Sequence, residues 1–204
     1  KTLESFKNQE AGAQLSEVLN RSGEDLLLIG FARRFVLYKR HTLLFSDLSR
    51  LEKILWNEER PVVLVVAGKA HPADLEAQQL LKEVIRLCSH SRISGRMIFL
   101  EDYGMDIARE MVQGVDLWLN TPVRGMEASG TSGMKAVYNG VLNFSTLDGW
   151  WEEAFEESLG WALPENPYAD EPNINEFDSS EIYRLLETEI IPAYFERENN
   201  LPLK

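Results

Sequence analysis

Between Arg124 and Lys135 the chain gathers glycines, hydroxyls and a lysine into one short segment: Arg124-Gly125-Met126-Glu127-Ala128-Ser129-Gly130-Thr131-Ser132-Gly133-Met134-Lys135. Gly130 and Gly133 let the backbone approach a ligand closely, and Ser129, Thr131 and Ser132 add hydroxyl donors. A helix beginning near Thr131 would aim unpaired backbone N–H groups at an anion, the usual cradle for a phosphate. Lys135 then falls in the first turns, within reach of an aldehyde whose phosphate sits at the helix start. A lysine facing an apolar pocket has its charge disfavoured, and the neutral amine is the form that makes an imine. The enzymatic reading therefore needs a concavity beside Lys135. On residue types alone a second reading stays open, because segments of the form G-x-x-G-x-K also merely turn a chain and leave the lysine in water.

Other polar residues collect after apolar runs, where ligands of parallel sheets sit. Arg33, Arg34, Lys39 and Arg40 follow the first such run, Gly68, Lys69 and His71 the second, and Glu101, Asp102 and Tyr103 the third. Arg33 and Arg34 offer forked donors suited to phosphate oxygens, or form a solvated edge pair. His71, before Pro72, reads as a loop residue, and His41 and His90 as surface residues. No His, Cys and carboxylate spacing suggests a metal. Trp150 and Trp151 suit either sugar stacking or packing at a strand end. Glu101 and Asp102 read as solvated carboxylates, and Cys88, in an apolar stretch, as a core residue.

The elements that must position these groups alternate apolar runs with amphipathic stretches, the pattern of a parallel α/β sheet. Leu3 to Leu19 reads as a helix. Asp25 to Ala32 is a strand buried on both faces. Tyr38 to Trp56 reads as helical, and VVLVVAG after Pro61 as a second strand. A helix over 73–88, a strand at Met97 to Glu101 and a helix over 105–113 follow. VDLWLN is a fourth strand, Gly130 to Asn139 a helix and VLNFST a fifth strand. The result is a Rossmann-like, doubly wound α/β fold. After Trp151 the character changes: PENPYADEP, Pro164 to Pro172, reads as an acidic surface linker. Ser179 or Ser180 then caps a final helix through Tyr194, which packs either on this sheet or on a part of the protein outside this chain.

The chain has 204 residues, 44% hydrophobic and 26% charged, with a formal net charge of -12. That sign argues against nucleic acid or an anionic membrane as partner. One cysteine excludes an internal disulfide, and no apolar run approaches the length of a membrane span. A start at Lys1-Thr2-Leu3 without a signal peptide suggests a cytoplasmic setting and a piece excised from a longer chain.

EASGTSGMKAVYNGVL, Glu127 to Leu142, resembles the segment that carries the pyridoxal phosphate (PLP) lysine in the glycogen and maltodextrin phosphorylases. GFARRFVLYKRHTLLF, Gly30 to Phe45, is similar to that family's phosphate-binding segment. VVAGKAHP, IFLEDY and DGWW (Asp148 to Trp151) resemble further blocks, in the family's order. The wording FARRF, LNTP and DGWW is similar to the bacterial and archaeal α-glucan phosphorylase branch. Ser132 and Gly133 stand where many members carry Gly and Asn, Arg33 replaces a common Lys, and Gly104 replaces a basic residue of the animal enzymes.

The resemblance implies phosphorolysis of α-1,4-glucan to α-glucose 1-phosphate, in a two-domain glycosyltransferase-B (GT-B) architecture of which this is the C-terminal half. It implies that Lys135 forms a Schiff base with PLP. Gly130, Thr131 and Ser132 hold the cofactor phosphate with Arg33 nearby, and Tyr103 lines the cofactor pocket. Arg34 and Lys39 grip the substrate phosphate, while Glu127, Ser129 and Gly130 bind glucose hydroxyls. Residues 1–163 are then the PLP-binding domain, 164–178 a linker and 179–197 a C-terminal helix. The expected partners are glucan, inorganic phosphate or glucose 1-phosphate, and an N-terminal domain without which the chain should not turn over glucan. Two further readings stand beside this one. One is a nucleotide-sugar glycosyltransferase of the glycogen synthase type, with Lys135 paired to a diphosphate, and the other is a non-catalytic glucan-binding module.

Overall fold

The computed structural model describes residues 26–168, 171–198 and 201–202, and of the amino-terminal stretch residues 13, 16–18 and 20. The helix expected over Leu3 to Leu19 lies mostly outside the described residues. Strands β1 (Leu27–Ala32) and β2 (Val62–Ala67) are buried at every position. Their side chains alternate between two apolar layers: Leu27, Ile29 and Phe31 enter one, Leu28 and Ala32 the other. With β3 (Met97–Leu100), β4 (Leu117–Asn120), β5 (Leu142–Thr146) and β6 (Gly160–Leu163) they form a six-stranded sheet of order β3-β2-β1-β4-β5-β6. Every pair in it is parallel. The fold is thus a Rossmann-like α/β domain. Its strand order reverses between β1 and β4, which opens a crevice at the carboxyl ends of those two strands.

Helices cover both faces. One layer holds α1 (Leu48–Leu55) and α2 (Leu75–Cys88), and the other α3 (Met105–Gly114) and α4 (Thr131–Tyr138). A short helix, α5 (Trp150–Ala154), leads from β5 toward β6. The last helix, α6 (Glu171–Leu185), continues through a π-turn at Leu186–Ile190 into α7 (Ile191–Phe195). Ile182, Tyr183, Leu186 and Ile190 bury this helix on the α1 and α2 side of the sheet. It packs at home. Trp151 is fully buried, with its indole N–H donating to the Trp161 carbonyl at 3.2 Å, so packing accounts for it.

Several sequence expectations are corrected. Tyr38 to Trp56 is not one helix but 3-10 turns at Leu37–Lys39 and Leu43–Phe45 followed by α1. Arg40 adopts a left-handed conformation (φ 51°) that ends the first turn. Leu43, Leu44 and Phe45 are all buried, more than the single apolar stripe of a surface α-helix would cover. Asp47 then caps α1 by accepting from Arg50 N at 2.9 Å. The final helix starts at Glu171, not at Ser179 or Ser180. Ser179 Oγ donates to the Glu176 carbonyl inside the helix, and Asn166 ties the preceding segment to Ile174 and Asp178. Strand β6 was not legible, because Gly-Trp-Ala-Leu gains its identity only from pairing with β5, Phe144 opposite Trp161.

His41 is also corrected, from surface to core: it is 0% exposed and stacks on Phe35 at 4.0 Å between ring centroids. Neither ring nitrogen makes a hydrogen bond of normal geometry. Beside it Arg40 is buried and answered on every side. Its guanidinium donates to the Thr121 and Pro122 carbonyls at 2.9 Å each and to Asn175, and pairs with Asp178 at 2.7 Å. One side chain thereby ties the end of β1, the end of β4 and α6 together.

Asp178→Ala strands that guanidinium without its counter-ion, so unfolding in urea should show a loss of about 3–5 kcal/mol. Asp178→Asn, which keeps an acceptor, should lose less. Burial first, then the positive field of Arg33, pushes the His41 imidazole from 6.5 down to about 3. The unfolded chain therefore takes up this proton near pH 6.5 and the folded one only near 3, so stability falls as pH drops through that window. The contribution to the slope approaches about 1.4 kcal/mol per pH unit, and a pH series of urea midpoints should lose it in His41→Phe. An unchanged slope would show that His41 protonates freely in the folded state.

Candidate functional site

The crevice between β1 and β4 receives the cations that leave β1. Arg33 is drawn inward, its side chain 4% exposed. Nη1 donates to the Lys39 carbonyl at 3.1 Å, Nη2 lies 3.7 Å from Glu127 Oε2, and Nε is buried with no partner. Burial lowers the Arg33 pKa to about 10, and the nearby Glu127 charge opposes that shift. It remains a cation at neutral pH. Lys39 Nζ donates to the same Glu127 Oε2 at 2.7 Å, with both side chains 12% exposed. Thr121, just past β4, donates its hydroxyl to the Lys39 carbonyl at 3.0 Å and so fixes the turn that presents this lysine. Arg34 is exposed and takes no part in this ion-pair cluster.

Glu127 is aimed from the opposite side by a residue that sequence reasoning missed as a site component. At the end of β5 the buried Asp148 accepts Met126 N at 3.1 Å and Glu127 N at 2.8 Å on one oxygen, and Gly149 N at 2.9 Å on the other. Trp150 N then donates to the Ser129 carbonyl at 2.9 Å. Gly149 has φ 56°, and a Cβ there would stand 2.6 Å from that carbonyl, so only glycine closes this clasp. A carboxylate immediately after a strand and before a glycine was the available signal. The sequence alone does not say which amides it will meet.

The clasp delivers the chain into α4. Gly130, at φ 79°, is its N-cap, and no side chain caps the first turn. Thr131 and Ser129 are exposed, while Ser132 is half-buried and accepts the Trp118 indole N–H at 3.3 Å. Gly133 is buried against Trp150 and the side chain of Asn143. Lys135 follows one turn after Thr131, on the same side of the helix. Tyr103 is half-buried against the α3 layer, and burial raises its phenol pKa.

The structure thus brings Arg33, Lys39 and Glu127 into one cluster and places Gly130, Thr131, Ser132 and Lys135 together at the start of α4. The expected concavity around the lysine is not formed among the described residues: the Lys135 side chain is exposed there. A cavity of about 650 Å³ lies elsewhere, between the Leu37 to Asp47 segment and α6, with His41, Arg50, Asn175 and Tyr183 among its walls. The residues present still suit a phosphate-bearing aldehyde. A helix start with no side-chain cap and the hydroxyl of Thr131 at its first turn offers donors, the orphaned Arg33 Nε offers another, and Lys135 offers an amine. No group of His, Cys, Asp and Glu among the described residues is placed to hold a metal.

A family model of carbohydrate phosphorylases matches residues 23–158. The chain is 48% identical over 181 residues to a glycogen phosphorylase of Aquifex aeolicus, covering 88% of this chain and 26% of that protein. It is 46% identical over 193 residues to a maltodextrin phosphorylase of Thermococcus litoralis, covering 93% of this chain and 23% of that one. A glycogen phosphorylase of Mycobacterium tuberculosis is 41% identical over 187 residues, covering 91% and 22% respectively. This chain therefore spans about a quarter of the length of these relatives. With several blocks at the right places on one Rossmann-like sheet, the chain belongs to the carbohydrate phosphorylase family, among its α-glucan members.

Proposed function

We propose that this chain is the cofactor-carrying part of an α-glucan phosphorylase, in which α-1,4-glucan is cleaved by inorganic phosphate to α-glucose 1-phosphate. The observation that carries the reading is the convergence of Lys39 and Arg33 on one carboxylate oxygen at the mouth of the sheet, beside the open start of α4. A chain of net charge -12 has concentrated buried positive charge at the place where a doubly wound sheet binds ligands.

Lys135 supplies the amine that attaches PLP. Gly130, Thr131 and Ser132 hold the cofactor phosphate through backbone N–H groups and hydroxyls, with Arg33 adding charge. Tyr103 borders the cofactor ring. Bound there, the cofactor would supply a second phosphate group, able to give and take a proton beside the substrate phosphate. Lys39 and Arg34 orient that substrate phosphate, so that its proton reaches the glycosidic oxygen and its oxygen faces the anomeric carbon. The cluster's physical task is to let two phosphates lie side by side despite their repulsion, which in a poorly hydrated crevice demands fixed cations. Glu127, Ser129 and Gly130 accept from and donate to the hydroxyls of the transferred glucose.

The exposed face around Lys135 is, in this reading, one wall of a GT-B cleft whose other wall belongs to an N-terminal domain of a longer, cytoplasmic enzyme. The second wall completes the enclosure around Lys135, while the phosphate-suited start of α4 already favours this lysine over the others of the chain. Turnover then requires both walls.

Incubation of the chain with PLP should give a new absorbance band, and borohydride should fix the adduct on the peptide containing Lys135 in preference to other lysines. Lys135→Ala should lose that selectivity. Random labelling across lysines would remove the cofactor reading. Binding of UDP-glucose or ADP-glucose without a selective adduct would favour a synthase-type transferase, and glucan binding with neither would favour a binding module. The isolated chain should show no phosphorolysis of glucan in a coupled glucose 1-phosphate assay. Turnover at about 1 per second or faster, ordinary for an enzyme, would refute the need for a second wall.

A further inference from the structure

The contact between Lys39 and Glu127 joins two residues to which the proposed function gives different ligands, one a phosphate and the other a sugar. Their ion pair is short and largely enclosed: Lys39 Nζ to Glu127 Oε2 is 2.7 Å, with each side chain 12% exposed. The same oxygen faces Arg33 Nη2 at 3.7 Å, and the buried Arg33 Nε beside it has no acceptor. One anionic oxygen held between a lysine and an arginine is the arrangement a phosphate oxygen takes at such a pair. Without an anion there, two enclosed cations would face each other with no compensation, which is costly in a poorly hydrated setting.

We propose that the Glu127 carboxylate is the resident anion of the Lys39 and Arg33 slot, and that incoming phosphate displaces it. The inference rests on the phosphorylase reading for the identity of the arriving anion. Exchange needs only side-chain rotation. The Glu127 backbone is pinned by Asp148, which accepts its N–H at 2.8 Å and that of Met126 at 3.1 Å. The side chain itself lies against Gly130, where a Cβ would meet Glu127 Cγ at 3.4 Å, so the carboxylate rests beside the start of α4. A phosphate brings more charge and more acceptor oxygens than a carboxylate, including one for the orphaned Arg33 Nε. Once displaced, Glu127 is an unpaired acceptor near the helix start, available to a sugar hydroxyl. Binding of phosphate thereby prepares the site for glucose, which makes the two affinities coupled.

The test uses orthophosphate as probe and the whole chain. Glu127→Gln removes the competing charge with little change in shape, and calorimetric titration should show orthophosphate binding about tenfold tighter than in the wild type. Adding Lys39→Met to that variant should abolish the gain. In the unaltered chain, a carbon-13 label on glutamate side chains should show the Glu127 carboxyl resonance moving as orthophosphate saturates, a measurement that stands even where the variant folds poorly. Equal or weaker binding by Glu127→Gln, no binding by either form, or a stationary Glu127 resonance at saturation would overturn the proposal. Selective PLP attachment at Lys135 reports separately on the functional reading. Attachment without the gain in Glu127→Gln sinks only the exchange, whereas the gain without attachment leaves an anion-exchange slot and removes the cofactor reading.

Discussion

Positive charge carried into the crevice at the end of β1 is the constraint that the surrounding structure answers. Arg33, Lys39 and Arg40 leave the strand within a few residues of one another, and each is buried or largely enclosed. Such groups cost several kcal/mol unless paired and hydrogen-bonded. The neighbours Lys39 and Arg40 solve the problem in opposite directions. Arg40 turns toward α6 and is held by two carbonyls, Asn175 and Asp178, so four of its five N–H donors are already engaged within the fold. Lys39 turns toward α4 and meets a single carboxylate at the edge of solvent. Permanent saturation makes a strut, and replaceable saturation makes a site. The left-handed backbone at Arg40 is the local device that separates the two directions.

The same reasoning explains why the loop after β5 is built as it is. Glu127 can serve Lys39 only if the turn between Val123 and Gly130 has one shape, and loops seldom hold a shape without help. Asp148 holds it by accepting consecutive amides, and Gly149 and Trp150 complete the clasp on the Ser129 carbonyl. Three strand ends, those of β1, β4 and β5, thus define one small volume. The sheet order that sets β1 beside β4, and β4 beside β5, is what makes this possible.

The sheet itself was legible in the sequence because strands buried on both faces read as unbroken apolar runs, and the run from Val62 to Ala67 is rich in valine and bounded by Pro61 and Gly68. The start of α4 at Thr131 was legible for a different reason, since glycines and hydroxyls punctuate helices in a known way. What stayed hidden depended on contacts across long sequence separations. His41 looks like a surface residue among Lys39, Arg40 and Thr42, and only its stacking on Phe35 makes it core. Asn175 and Asp178 read as linker and pre-helix residues until Arg40 reaches them. Asp148 was visible as part of a family block, but its partners lie more than twenty residues back along the chain. Local pattern therefore located the anion-binding elements, and non-local pairing determined which charges remain free to act.

Lys135 shows where that division matters most for chemistry. Condensation with an aldehyde uses a neutral amine, a form that burial or neighbouring cations favour. Among the described residues α4 leaves the Lys135 side chain exposed and presents it one turn beyond a helix start suited to phosphate. On the proposed reading, a cofactor anchored by its phosphate would bring apolar ring surface onto this face and begin to exclude water from it. The rest must come from something that covers the face, and relatives about four times longer than this chain have the material to do so. The lysine's position beside the helix start is thus encoded here, and on the proposed reading it is turnover that waits for the second wall.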